Sequence, residues 1–224
     1  MNIPLNHTTL SDRVAKEVRK MILNGTLQPG ERINEVRIAE QMNISRGPLR
    51  EGLRMLQNEG LVKHETNKGT FVSTLSTKDA WEIYTLRALL EGEAAQLSID
   101  HISEKELHQL ERLIENFHQA IIQKDIESME NTDRDFHQII VAASKHKRLQ
   151  HMHQQLDIQL GAMFFTMANS VPIRVNSVVK NHQLLVDVLR SKDKERVKHE
   201  FSNHYTQALS DLLQSKSTNK KLKR

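Results

Sequence analysis

Apolar residues recur at helical spacing from near the start of the chain. Leu10, Val14, Val18 and Ile22 fall four apart, with Thr9 or Ser11 placed to cap the first turn. Gly25 ends that helix and Pro29-Gly30 turns the chain. Asn34 can cap a short second helix carrying Val36, Ile38, Ala39 and Met42. Asn43 sits where a left-handed residue is needed to leave it. Ser45 can cap a third helix, with Pro48 tolerated in its first turn. Leu49, Leu53 and Leu56 share one face of it, and Glu59-Gly60 stops it.

The period then changes. Leu61-Val62-Lys63-His64 and Thr70-Phe71-Val72 alternate as short strands around an Asn67-Lys68-Gly69 turn. This order predicts a winged helix-turn-helix over residues 1–75, with a polar linker at 73–78. Six amphipathic segments follow, at roughly 78–98, 103–123, 125–144, 147–168, 172–191 and 193–214. Short loops between them predict an antiparallel bundle over 76–215, so the fold class is mainly α. Trp81, Tyr84, Phe117, Phe136, Phe164 and Phe165 are spaced as bundle core. The segment 216–224 carries five basic residues and no acid, and reads as a disordered tail.

Composition adds two constraints. The chain has no cysteine, which excludes disulfides and thiolate metal sites, and no apolar run of membrane-spanning length. With no signal-peptide pattern at residues 1–7, a cytoplasmic location is expected. Charge is uneven: residues 1–75 hold 11 Lys/Arg against 8 Asp/Glu, and residues 76–215 hold 16 against 20. A basic head on an acidic body suits an N-terminal module that meets a polyanion.

The third helix is the expected recognition helix. Its leucines turn inward, so Arg46, Arg50 and Arg54 project from another face, the first two at the end that enters the major groove. Arginine there can bond a guanine edge twice or clamp a phosphate. Ser45 and nearby backbone N–H groups can hold phosphate at the positive end of the helix dipole. Arg37 can reach the backbone beside them, and Lys68 and Gly69 can approach from the wing tip. The alternative is that these arginines pair with Glu40, Glu51 or Glu59 on a solvated surface.

The second half holds most of the 12 histidines. Asp133 and His137 lie one helical turn apart, and His182 and His204 occupy two later helices. One carboxylate and three imidazoles form a divalent-metal set with open coordination positions. Spacing alone is weak evidence, since pairs such as Glu104 and His108 arise by accident. Arg87 is a candidate handle for an acidic effector; the alternative is a pair with Glu91 four residues on.

Residues 25–72 resemble the GntR family of bacterial regulators. The resemblance runs through Leu27-Gln28-Pro29-Gly30-Glu31-Arg32-Ile33, Ile44-Ser45-Arg46-Gly47-Pro48-Leu49-Arg50-Glu51 and Lys68-Gly69-Thr70-Phe71-Val72. It implies DNA contacts from Arg37, Arg46, Arg50 and Gly69. Gly47 departs from the family pattern, which more often has threonine there, so a phosphate-binding hydroxyl is missing. The second half resembles the FCD effector domain of the FadR-type branch, and its VanR-like subgroup in helix number. That likeness rests on Arg87-Ala88-Leu89-Leu90-Glu91, Asp133-Arg134-Asp135-Phe136-His137, Asn181-His182-Gln183-Leu184-Leu185 and His204-Tyr205. It implies that Asp133, His137, His182 and His204 bind one divalent ion, zinc or nickel, leaving room for a carboxylate effector.

The resulting expectation is a homodimeric repressor on a palindromic double-stranded operator, controlled by a small organic acid at the metal site. Two alternatives remain: a sensor for which the ion itself is the signal, and a metal-dependent hydrolase, which lacks an identifiable general base.

Overall fold

The computed structural model describes residues 9–74, 76–170 and 172–221, with side chains at all of these except 158, 160–176 and 215–221. The chain divides into two compact units, the first ending at Thr74.

The first unit opens with α1 (Leu10–Leu23). Thr9 and Asp12 close a reciprocal capping box, with Asp12 N donating to Thr9 Oγ1 at 3.1 Å and Thr9 N to Asp12 Oδ2 at 2.8 Å. Helix α2 (Glu35–Gln41) is capped by the Asn34 side chain, and Asn43 leaves it at φ 51°. Helix α3 (Arg46–Asn58) starts after Ser45, but the Ser45 hydroxyl makes no capping bond, contrary to expectation. Leu49, Leu53 and Leu56 are all buried, and full burial of such a side chain contributes about 1.5–3 kcal/mol. Gly52 lets α1 and α3 touch: a Cβ there would lie 2.9 Å from Val14 Cγ1 and 3.1 Å from the Ser11 carbonyl.

The wing is an antiparallel pair, β1 (Val62–Glu65) and β2 (Gly69–Val72), each within one residue of the expected strand at its ends. Asn67 and Gly69 take positive φ at its turn, as the sequence implied. Ile33 N donates to Thr70 O at 2.8 Å and Val72 N to Glu31 O at 2.9 Å. The segment before α2 therefore clamps the far edge of the wing.

The second unit is helical among its described residues: α4 (Thr77–Ser98), α5 (Glu104–Gln123), α6 (Ile126–Ala143), α7 (Lys147–Ser170), α8 (Pro172–Ser191) and α9 (Lys194–Lys221). Helices α4 and α9 run antiparallel, since Ala88 meets Ser202 while Gln96 meets Glu195. Gly92 permits their close approach, for a Cβ there would lie 3.0 Å from the Lys198 carbonyl. Ala80, Ile83, Tyr84 and Ala88 pack there on Tyr205, Ala208, Leu209 and Leu212. A larger core joins Leu110, Ile114, Phe136, Ile140, Leu185, Leu189 and Phe201 from α5, α6, α8 and α9.

Two expectations change. Tyr84, Phe117 and Phe136 are core, but Trp81 is 56% exposed, and the side chains of Phe164 and Phe165 lie outside the described residues. Helix α9 continues to Lys221, where the sequence suggested a disordered tail from Lys216. No helix among the described residues is long and apolar enough to cross a membrane.

Candidate nucleic-acid interface and metal centre

A hollow on the first unit is lined by Arg32, Asn34, Glu35, Arg46, Arg50 and Gly69, among others. The fold reaches this by setting the start of α3 beside the start of α2 and the wing turn. Three of the expected residues, Arg46, Arg50 and Gly69, therefore share one surface. Arg37, Ser45 and Lys68 are exposed but do not line it. Arg46 and Arg37 make no side-chain ion pair among the described residues, whereas Lys68 reaches Glu65 at 3.2 Å and Arg54 reaches Glu51 at 3.4 Å. Arg50 Nε donates to Glu35 Oε2 at 3.0 Å, a partner the sequence did not suggest. Arg32 was also missed. Its guanidinium lies against Gly69, where a Cβ would come within 3.3 Å of Arg32 Nε. No local pattern marks it, because its place beside Gly69 is set by the pairing of residues 31–33 with the wing.

In the second unit α6, α8 and α9 each bring a histidine to one buried point. His137, His182 and His204 can present ring nitrogens all within 4.8 Å of one another. Asp133, one turn before His137, places Oδ1 3.2 Å from His182 Nε2 and 4.0 Å from His137 Nε2. All four residues are buried.

The proton positions are constrained by neighbours. His182 Nδ1 lies 2.8 Å from the Val178 carbonyl, which can only accept, so Nδ1 carries the proton and Nε2 presents a lone pair. His137 Nδ1 lies 2.6 Å from Glu91 Oε2. Glu91 Oε2 is the anionic group facing this ring edge. Both Nε2 atoms are buried without a hydrogen-bond partner. In a neutral ring His182 Nε2 faces Asp133 Oδ1 acceptor to acceptor, which a cation or an added proton must relieve. Three imidazole nitrogens and one carboxylate oxygen gathered at one buried point are a donor set that suits a divalent ion.

Beneath this point lies a buried charged network. Arg87 is fully buried and donates from Nη2 to Glu91 Oε1 at 2.5 Å and to Tyr205 Oη at 2.7 Å, and from Nη1 to Asp157. Tyr205 Oη in turn donates to Glu91 Oε1 at 2.6 Å, and His153 Nε2 lies 2.7 Å from the same oxygen. Arg87 is therefore taken up internally, and the pairing with Glu91 is the one formed. Burial alone would raise the Glu91 pKa, but His137, Arg87 and His153 hold it well below the carboxylate range. Burial alone would lower the His137 pKa, but Glu91 and Asp133 bring it above its ordinary value. The sequence singled out neither His153 nor Asp157, because nothing local marks a pairing with a helix some 60 residues away.

The bacterial regulatory protein family gntR matches residues 10–72, and the FCD domain family matches residues 82–207. The chain belongs to the GntR family. The GntR-type match covers the winged unit, and the FCD match covers the helices that carry the histidines. HTH-type transcriptional regulator YdhC of Bacillus subtilis is 32% identical over 84% of this chain and 84% of its own. The gluconate operon transcriptional repressor of the same organism is 27% identical over 85% of this chain and 79% of its own. The structure of Escherichia coli McbR/YncC superposes with a TM-score of 0.78 at 26% identity, covering 93% of this chain and 99% of that one. This GntR-family chain is thus a transcriptional regulator with a winged helix-turn-helix and an FCD domain; its relatives are regulators rather than enzymes.

Proposed function

We propose that this regulator is a homodimeric repressor whose grip on a palindromic operator is tuned by a small organic acid bound at a metal centre. Asp133, His137, His182 and His204 hold one divalent ion, zinc or nickel. The effector carboxylate takes the remaining coordination positions, as a hard oxygen donor does on such ions. Arg87 supports the centre from beneath instead of meeting the effector, because Glu91, Asp157 and Tyr205 occupy its terminal nitrogens. Arg46 and Arg50 read or clamp the duplex, with Arg37, Ser45, Lys68 and Gly69 on the flanking backbone. Repression is favoured by the relatives named as repressors of gluconate and D-xylose operons.

The observation that carries the reading is the convergence of three buried histidines, with nitrogens within 4.8 Å of one another, beside the buried Asp133 carboxylate. The test measures metal content of the purified protein, then operator affinity with metal, with chelator, and with metal plus a panel of organic acids. About one ion per chain and release of DNA by one acid, only when metal is present, are expected. DNA affinity that follows the ion alone, untouched by any acid, would instead identify a metal sensor. Absence of uptake on adding zinc or nickel would end the metal reading.

A further inference from the structure

We propose that Glu35 is a specificity-determining residue that buttresses Arg50 for reading a base edge; this rests on the DNA-binding reading above. Glu35 is the one acid among the described residues lining a hollow that also holds Arg32, Arg46 and Arg50. A carboxylate on a surface facing phosphates is electrostatically unfavourable for binding, so its placement calls for a reason beyond affinity. The geometry supplies one. Glu35 Oε2 takes the Nε edge of Arg50 at 3.0 Å, and Glu35 Oε1 lies 3.4 Å from Thr70 Oγ1. Thr70 is buried, and its hydroxyl lies 3.3 Å from His64 Nδ1 across the β1–β2 pair. Glu35 is also the first residue of α2, held by the Asn34 cap. The carboxylate is therefore fixed from the backbone of α2 and from the wing together.

A guanidinium held by its Nε edge keeps both terminal nitrogens free. That fork can bond guanine O6 and N7 as a pair. The neighbouring carboxylate also repels phosphate, which keeps the Arg50 fork from being drawn to the backbone. Arg46, with no acid partner among the described residues, has no such restraint. Of the two arginines at this helix end, Arg50 is held to a base and Arg46 is free to follow a phosphate.

The experiment selects duplexes from a random-sequence pool with the wild-type chain and the Glu35→Gln, Thr70→Val and Arg50→Ala variants. Affinities for the selected and a scrambled duplex are then measured across salt concentrations. Glu35→Gln should bind scrambled DNA severalfold more tightly and lose about tenfold in discrimination at one base pair. Arg50→Ala should lose discrimination at that same base pair, and a variant carrying both Glu35→Gln and Arg50→Ala should lose no more than Arg50→Ala alone. Thr70→Val should shift the same position more weakly. An unchanged Glu35→Gln preference, or a loss at a base pair that Arg50→Ala leaves intact, would overturn the role of Glu35. A parallel loss of affinity for every sequence would overturn it too. Failure of the wild-type chain to enrich any sequence would instead overturn the DNA-binding reading itself.

Discussion

Glu91 Oε2 lies 2.6 Å from His137 Nδ1, and neither side chain is exposed to solvent. One glutamate thereby links the candidate metal centre to a buried arginine, since its other oxygen receives Arg87, Tyr205 and His153. Outer groups of this kind fix ring orientation and raise ligand basicity. Glu91→Gln should keep the side-chain shape but weaken metal binding, by about 10- to 100-fold if it behaves as other such partners do. Glu91→Ala should in addition take one of two carboxylate partners from the buried Arg87, leaving Asp157, and cost about 3 kcal/mol of stability. Zinc titration of both variants beside thermal melts separates the two effects. Wild-type metal affinity in a folded Glu91→Gln protein would remove the link.

The same pair sets a pH dependence for the metal-free protein. His137 has a folded pKa above its ordinary 6.5, so the stability it contributes is present below about pH 6.5 and fades as pH rises through the folded value. Glu91 and Asp133 have folded pKa values below 4.5 and 3.8, so their contribution is present above those values and fades on acidification. The metal-free chain should be most stable between about pH 4.5 and 6.5. Metal reverses the alkaline side, because ligands must be deprotonated to bind it. Melting temperatures from pH 5 to 8, with chelator and with zinc, should diverge as pH rises; parallel curves would contradict this assignment.

Gly47 offers a gain-of-binding test. A Cβ built there meets nothing within 4 Å, so Gly47→Thr fits without strain. Threonine is the better helix former by a few tenths of a kcal/mol and adds a hydroxyl at the positive end of α3. Binding should tighten roughly three- to tenfold on operator and scrambled duplex alike, as a phosphate contact requires. A gain confined to one sequence would mean the new hydroxyl reads a base instead.

Helices such as α1, α3 and α5 were legible because each buries a stripe at the 3.6-residue period, and α1 and α2 start at the caps read from Thr9 and Asn34. Trp81 was misread for a physical reason: α4 buries the charged Arg87 and Glu91 and leaves Trp81 and Leu86 exposed, so the spacing of its apolar residues does not choose its buried face. Leu89 on the same helix is exposed too. Asp133 and His137 were visible as neighbours one turn apart, but only the packing of α6, α8 and α9 brings His182 and His204 to them. His153 and Asp157 were invisible because their partners lie on α4 and α6, and no local pattern encodes a tertiary ion pair. Ser45 was placed correctly at the helix start, yet its hydroxyl does not cap and the residue is exposed.

Arg46 and Arg32 should separate recognition from attraction. Arg46 heads α3, the end that reaches base edges or the phosphates beside them, whereas Arg32 lies along the wing turn against Gly69. Arg32 has no acid partner among the described residues, so removing it strands no buried charge and should leave the melting temperature unchanged. Arg32→Ala should weaken binding to all duplexes equally and reduce the slope of log affinity against log salt by about one. Arg46→Ala should cost about 10- to 100-fold on the selected operator. If Arg46 touches a base, part of that loss disappears on scrambled DNA; if it touches only phosphate, the two duplexes weaken together, as for Arg32→Ala. Titrations at three salt concentrations distinguish these outcomes. Unchanged operator affinity in Arg46→Ala would remove the head of α3 from the interface.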